Sequence, residues 1–156
     1  MTRAASGDNP PPLRLQAPPV MRVLAIDPGR DKCGVAVAVL DAVGDINVLE
    51  RRIVPRSQIG EMLPALVQQH NVQRIVLGHA TTSVTLKAEL LRCAPDVDVL
   101  TVDETGSTLE ARALYWQEHR PRGWRRLVPL SLQVPPEPVD DFAAIVLARR
   151  FFGSRR

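Results

Sequence analysis

The stretch "MRVLAIDPGRDKCGVAVAV", Met21 to Val39, decides the fold. It holds two short apolar runs, "RVLAID" and "CGVAVAV", the second continuing through Leu40, on either side of a glycine-containing turn, which predicts two adjacent strands. Asp27 ends the first run. A carboxylate placed in the most apolar part of a chain is costly unless something offsets its charge, so its position calls for a chemical reason.

Working outward, "INVLERRIV" reads as a third strand, joined to the second through a turn at Gly44 and Asp45, so the chain opens with a three-stranded meander. Ser57 is the expected cap of a helix over "QIGEMLPALVQQH", with Ile59, Leu63, Leu66 and Val67 on one face and a kink expected at Pro64. The strand "RIVLG" follows and ends at Gly78. "HATTSVTLKAELLRC" then offers hydroxyl caps and a helical period, and "VDVLTVDE" is a fifth strand running into two acids.

"STLEARALYWQEH" opens on Ser107 with Glu110 three residues later, the pattern of a capping box, and Pro121 should stop that helix. Leu109, Ala113 and Trp116 are expected on its core face, with Tyr115 available to a second subunit. From Arg120 to Pro138 the chain is too rich in proline for regular structure. Its arginines, Arg120, Arg122, Arg125 and Arg126, surround Trp124 in a basic loop. "VDDFAAIVLARRFF" is a last helix, acidic in its first turn and basic in its last, with Gly153 as its C-cap.

The whole chain suits one domain. Its 156 residues and 45% hydrophobic content can bury one sizeable core, expected over residues 20–156, behind a Pro-rich lead over residues 1–19 expected to be disordered. A net charge of +3 suits a polyanionic partner without requiring one. Cys33 and Cys93 stand far apart with no Cys or His beside them in a ligating pattern, which indicates neither a disulfide framework nor a zinc site. No apolar run has the length of a membrane span and no signal-like segment leads the chain, so a soluble cytoplasmic protein is expected.

Strands alternating with helices after a meander predict an α/β fold, a mixed five-stranded sheet with helices on both faces and its later strands parallel. Ligands of such sheets sit beyond the carboxyl ends of the strands. Asp27, Glu104 and the Asp140–Asp141 pair all fall there, and their convergence on a divalent cation would account for Asp27. Gly29 would let the backbone approach a phosphate, and Thr81, Thr82 and Ser83 stand where a helix N-terminus could receive one. Arg122, Trp124, Arg125 and Arg126 could track and stack a nucleic-acid strand. Each has a plainer reading: Asp27 as a turn aspartate, Glu104 as a surface acid, Asp140 and Asp141 as helix-dipole acids, the hydroxyls as caps, the basic loop as a solvated excursion.

The blocks "AIDPGRDKCGVAVAV", "VLGHATTS", "VDETGSTLEAR" and "VDDFAAIVLARR" together resemble the YqgF family of Holliday-junction-resolvase-like proteins, within the ribonuclease H-like superfamily, from about Met21 to Arg150. The resemblance implies a ribonuclease H-like fold and a nuclease dependent on Mg²⁺ or Mn²⁺. It implies metal binding by Asp27, Glu104 and Asp140, with Asp141 matching a helix aspartate of RuvC-type resolvases. It also implies a part in maturing precursor small-subunit ribosomal RNA or in processing branched or single-stranded DNA. Whether a homodimer forms, as symmetric junction cutting would require, the sequence leaves open. Two departures stand out: "GHATTS" replaces the family's G-L-P block, and Thr105 stands where the family has an arginine. Two other readings compete: a non-catalytic nucleic-acid-binding module of the same fold, and an ATP-binding domain of the actin and sugar-kinase type. The second is disfavoured because such proteins bind nucleotide between two domains.

Overall fold

A computed structural model describes residues 20–81 and 83–154. The Pro-rich lead and Thr82 lie outside the described residues. The strands are β1 (Met21–Pro28), β2 (Lys32–Leu40), β3 (Ile46–Pro55), β4 (Arg74–Gly78) and β5 (Asp98–Val102), and the helices are α1 (Ile59–His70), α2 (Ser83–Cys93), α3 (Ser107–Glu118) and α4 (Asp140–Gly153). They form one five-stranded sheet of order β3-β2-β1-β4-β5. The meander β1-β2-β3 is antiparallel, while β4 and β5 run parallel to β1, as βαβ crossovers require. This is the mixed α/β sheet expected from the sequence.

Alternation along the strands divides the core in two. Leu24, Ile26, Val35 and Val37 meet α1 and α2 on one face, through Ile59, Leu63, Leu66, Leu86 and Leu90. Val23, Ala25, Ala36, Ala38 and Val76 face α3 and α4 on the other. The second face is built from small residues, so α4 can lie close against β1 and β2. That approach puts the first turn of α4 at the carboxyl end of β1.

Several local expectations change. The first helix is led by a 3-10 turn over Arg56–Gln58, and neither Ser57 nor any other side chain caps it. It continues through Pro64 and ends on Asn71 in the left-handed region, φ 50°. Helix α3 starts at Ser107, but not by a capping box: Gly106, φ 76°, precedes it, no side chain bonds its N-terminus, and Glu110 goes to Arg150. Its core face is Ala111, Tyr115 and Trp116, whereas Leu109 is 69% exposed and Ala113 is exposed. Tyr115 is therefore core and not a subunit contact. The basic loop carries two 3-10 turns, Gly123–Leu127 and Leu130–Leu132, and Gly153 is the last helical residue of α4, with Ser154 beyond it.

The helices α3 and α4 lie antiparallel. At one end Arg51 of β3 bonds both carboxylate oxygens of Glu118, at 3.1 and 2.8 Å, and its Nε is 3.4 Å from Asp141. The guanidinium also lies 4.0 Å over the Phe142 ring. Because Glu118 precedes the basic loop and Asp141 follows it, this one arginine closes the base of the excursion.

Candidate metal and nucleic-acid site

Three carboxylates from three elements lie toward the carboxyl end of the sheet, with Glu104 and Asp140 near enough to act electrostatically on Asp27. Asp27 is the seventh residue of β1, Glu104 follows β5 after Asp103, and Asp140 opens α4. In the register Asp27 stands opposite Gly34, and both belong to the sheet face that α4 covers. A side chain at Gly34 would place its Cβ 1.8 Å from the Asp140 carbonyl oxygen, so glycine is what admits the helix there. Gly78 does the same for Glu104, since a Cβ there would stand 2.7 Å from Glu104 Oε2.

The electrostatics follow from this crowding. Burial first, then the negative charges of Glu104 and Asp140, push the Asp27 pKa up from 3.8 to about 6. Glu104 is also raised by burial, with His79 acting against the shift and Asp103 adding to it. Asp103 points elsewhere: its Oδ1 accepts bonds from the Thr105 amide at 3.0 Å and the Thr105 hydroxyl at 2.7 Å, which hold its carboxyl below the ordinary range. That local turn carries Glu104 toward Asp27 while Asp103 faces out.

Arg150, read from the sequence only as a helix-end cation, anchors the same turn. Its Nη1 donates to the Asp103 carbonyl at 2.7 Å, and its Nη2 donates to the Thr105 carbonyl at 2.8 Å and to Glu110 at 2.6 Å. The turn after the Asp103–Glu104 pair is thus tied to α4 by an arginine from the other end of that helix. Lys32 was also missed, although it lies within the opening stretch: its Nζ is 3.1 Å from Asp140 Oδ2.

The remaining expected site residues fall into different places. Asp141 turns to Arg51, whose Nε lies 3.4 Å from its Oδ2, and is not among the charges acting on Asp27. Gly29 is needed for the β1–β2 turn, where a Cβ would lie 2.2 Å from the Lys32 carbonyl oxygen. Thr81 is exposed. Ser83 is 4% exposed as the first residue of α2. Arg122, Trp124, Arg125 and Arg126 are exposed, and with Arg120 none of these arginines forms an ion pair among the described residues. A cleft of about 430 Å³ beside Trp116 is lined by Arg120, Arg125 and Arg126.

The donor set fits a hard divalent cation: oxygen ligands only, held in a crowd of like charge that a cation would relieve. As the side chains stand, no three Asp, Glu, His or Cys residues among those described are grouped closely enough to enclose a metal ion. Asp140 is instead engaged by Lys32.

The mixed five-stranded sheet, with helices on both faces, matches the ribonuclease H-like α/β fold of its structural neighbours. Among solved structures, Thermus thermophilus RuvC in complex with a Holliday junction substrate superposes with a TM-score of 0.59 at 17% identity, over 86% of this chain and 96% of that one. A second Thermus thermophilus RuvC structure gives 0.58 at 18% identity over the same shares. The yeast mitochondrial Holliday junction resolvase Ydc2 gives 0.52 at 13% identity, over 88% of this chain and 82% of that one. No protein-family model matches the chain, and no curated protein gave a match. No helix among the described residues is long and apolar enough to cross a membrane.

Proposed function

We propose that this chain is a metal-dependent nuclease that hydrolyses phosphodiester bonds in structured or single-stranded nucleic acid. One observation carries the reading: Asp27, Glu104 and Asp140 come from three separate elements to one end of the sheet, close enough for the other two to raise the Asp27 pKa to about 6. A fold does not place like charges together for stability, because their repulsion costs free energy. The likeness of the fold to junction resolvases supports the substrate class, and the sequence blocks that resemble the YqgF family support RNA, through maturation of precursor small-subunit ribosomal RNA, as much as DNA.

In this reading Asp27, Glu104 and Asp140 hold Mg²⁺ or Mn²⁺, which when bound supplies charge stabilisation and an activated water for in-line attack. The chain's own residues do the positioning. Gly34 and Gly78 leave room for Asp140 and Glu104. Arg150 and Thr105 fix the turn that aims Glu104 inward. The exposed arginines around Trp124 offer unpaired positive charge to a phosphate backbone, and the indole, 73% exposed, offers a face for a base. No side chain is needed as nucleophile. A homodimer would present two such sites to a symmetric junction.

The non-catalytic alternative has one observation in its favour, the occupation of Asp140 by Lys32 at 3.1 Å. Incubation with end-labelled single-stranded RNA, single-stranded DNA and a four-way DNA junction separates the two. Products that need Mg²⁺ or Mn²⁺ and vanish with chelator support the nuclease and name its substrate, while binding without product in excess metal supports the module.

A further inference from the structure

Lys32 is the first residue of β2, two positions before Gly34, and therefore on the same sheet face as Asp27 and Asp140. Gly34 lets the first turn of α4 down onto the sheet, and the Lys32 ammonium then meets the Asp140 carboxylate at 3.1 Å. Asp140 is thereby held from two sides, by backbone contact at Gly34 and by charge at Lys32. The Asp140 side chain is 28% exposed and that of Lys32 45%, so the pair lies at the rim of the carboxylate cluster, where solvent and ions reach it.

The groups facing this cluster come from every element around it. Asp27 and Glu104 are the other acids. His79, at the end of β4, acts on Glu104 and Asp103, and Arg150 is committed to the Asp103–Thr105 turn and Glu110. Arg51 is committed to Asp141 and Glu118. Lys32 is the cation that pairs directly with a member of the cluster among the described residues.

We propose that Lys32 is a built-in counter-cation of the site, which occupies Asp140 in the metal-free protein and must be displaced from it when a divalent cation binds. This deepens the metal-site reading and rests on it. An ammonium on a four-carbon stem suits the part, since it neutralises a carboxylate as a point charge and swings away without disturbing the backbone. Its consequence is a higher threshold for metal: the cation must compete for Asp140 and then tolerate a nearby positive charge.

The test is equilibrium binding of Mn²⁺ to the full chain, read by the electron paramagnetic resonance of free Mn²⁺, for wild type, Lys32→Met, Lys32→Arg and Asp140→Asn, with thermal unfolding of each without metal. Lys32→Met should bind Mn²⁺ about tenfold tighter or more, as expected for removing a unit charge from beside a ligand at the protein rim. Lys32→Arg keeps the charge and should stay near wild type. It also serves as the folded comparison if Lys32→Met is unstable, in which case Lys32→Gln replaces the methionine. Unchanged or weaker binding by the charge-removed variants, with wild type still binding through Asp140, overturns the counter-cation while leaving the metal site standing. If neither wild type nor the charge-removed variants bind Mn²⁺, the metal site itself fails and the proposal with it.

Discussion

The backbone carbonyl of Asp140 occupies the space that a side chain at Gly34 would need: a Cβ there would lie 1.8 Å from the oxygen. Since Gly34 is also the register partner of Asp27, one glycine both seats the last helix and brings its first acid over the first strand. Gly34→Ala should therefore cost more than about 3 kcal/mol, beyond ordinary overpacking, because the obstacle is backbone. Gly78→Ala meets Glu104 Oε2 at 2.7 Å, a side-chain atom that can move, and should cost less, about 1–2 kcal/mol, while displacing Glu104. Denaturant unfolding of both variants checks the ranking, and a Gly34→Ala protein as stable as Gly78→Ala would show that α4 does not depend on that close approach.

Asp27 carries a stability penalty with a defined pH window. Its pKa is about 6 in the folded chain against an ordinary 3.8, so between those values the folded state binds the extra proton. Stability contributed by this group is present below about pH 4 and is lost as pH rises through about 6. Asp27→Asn removes that loss. Without metal it should be more stable than wild type at pH 7 by on the order of 2 kcal/mol, and nearly equal to it at pH 4. Thermal unfolding in chelator at the two pH values decides it, and a variant less stable than wild type at pH 7 makes Asp27 an ordinary structural turn residue.

Much of this arrangement was legible from the sequence. Short apolar runs marked the strands: β1 and β2 are buried on both faces and so read as near-continuous apolar segments, bounded by turns that carry Gly and Asp. Asp27 stood out because charge is rare in such a run. What stayed hidden depended on distant partners. Ser107 and Glu110 have the spacing of a capping box, but Arg150 lies 40 residues further along the chain and takes Glu110 by charge. The buried face of α3 includes Trp116 but turns from Leu109 to Ala111: Leu109 outranks Ala111 in hydrophobicity, whereas the tight α3–α4 packing selects the smaller residue. Asp140 and Asp141 are neighbours in sequence, yet successive helical positions point about 100° apart, and Arg51 collects one of them.

Arg150 joins two carbonyls and a carboxylate, a fork that lysine cannot reproduce. Arg150→Lys should cost about 1–2 kcal/mol and speed amide exchange at Thr105 and Ser107. Exchange as slow as in wild type would mean that Thr105 and Asp103 hold the Glu104 turn unaided.

Arg51 closes the base of the basic loop through Glu118 and Asp141 while lying over Phe142. Arg51→Ala should lower stability by about 1–2 kcal/mol and make residues 120–138 more sensitive to limited proteolysis, with Glu118→Gln having a smaller effect in the same direction. Equal cleavage of Arg51→Ala and wild type would remove Arg51 as the clamp.

The most direct test of the central claim is a paired assay of wild type and Asp27→Asn, measuring both binding and cleavage of labelled RNA, single-stranded DNA and a four-way junction in Mg²⁺ or Mn²⁺. Asp27→Asn should remain folded, bind as tightly as wild type and lose cleavage by about a thousandfold or more, as expected when a ligand of the reacting centre is removed. Cleavage by Asp27→Asn at the wild-type rate, or no cleavage by wild type on any of the three substrates while binding persists, would contradict the assignment of Asp27, Glu104 and Asp140 as a catalytic metal site.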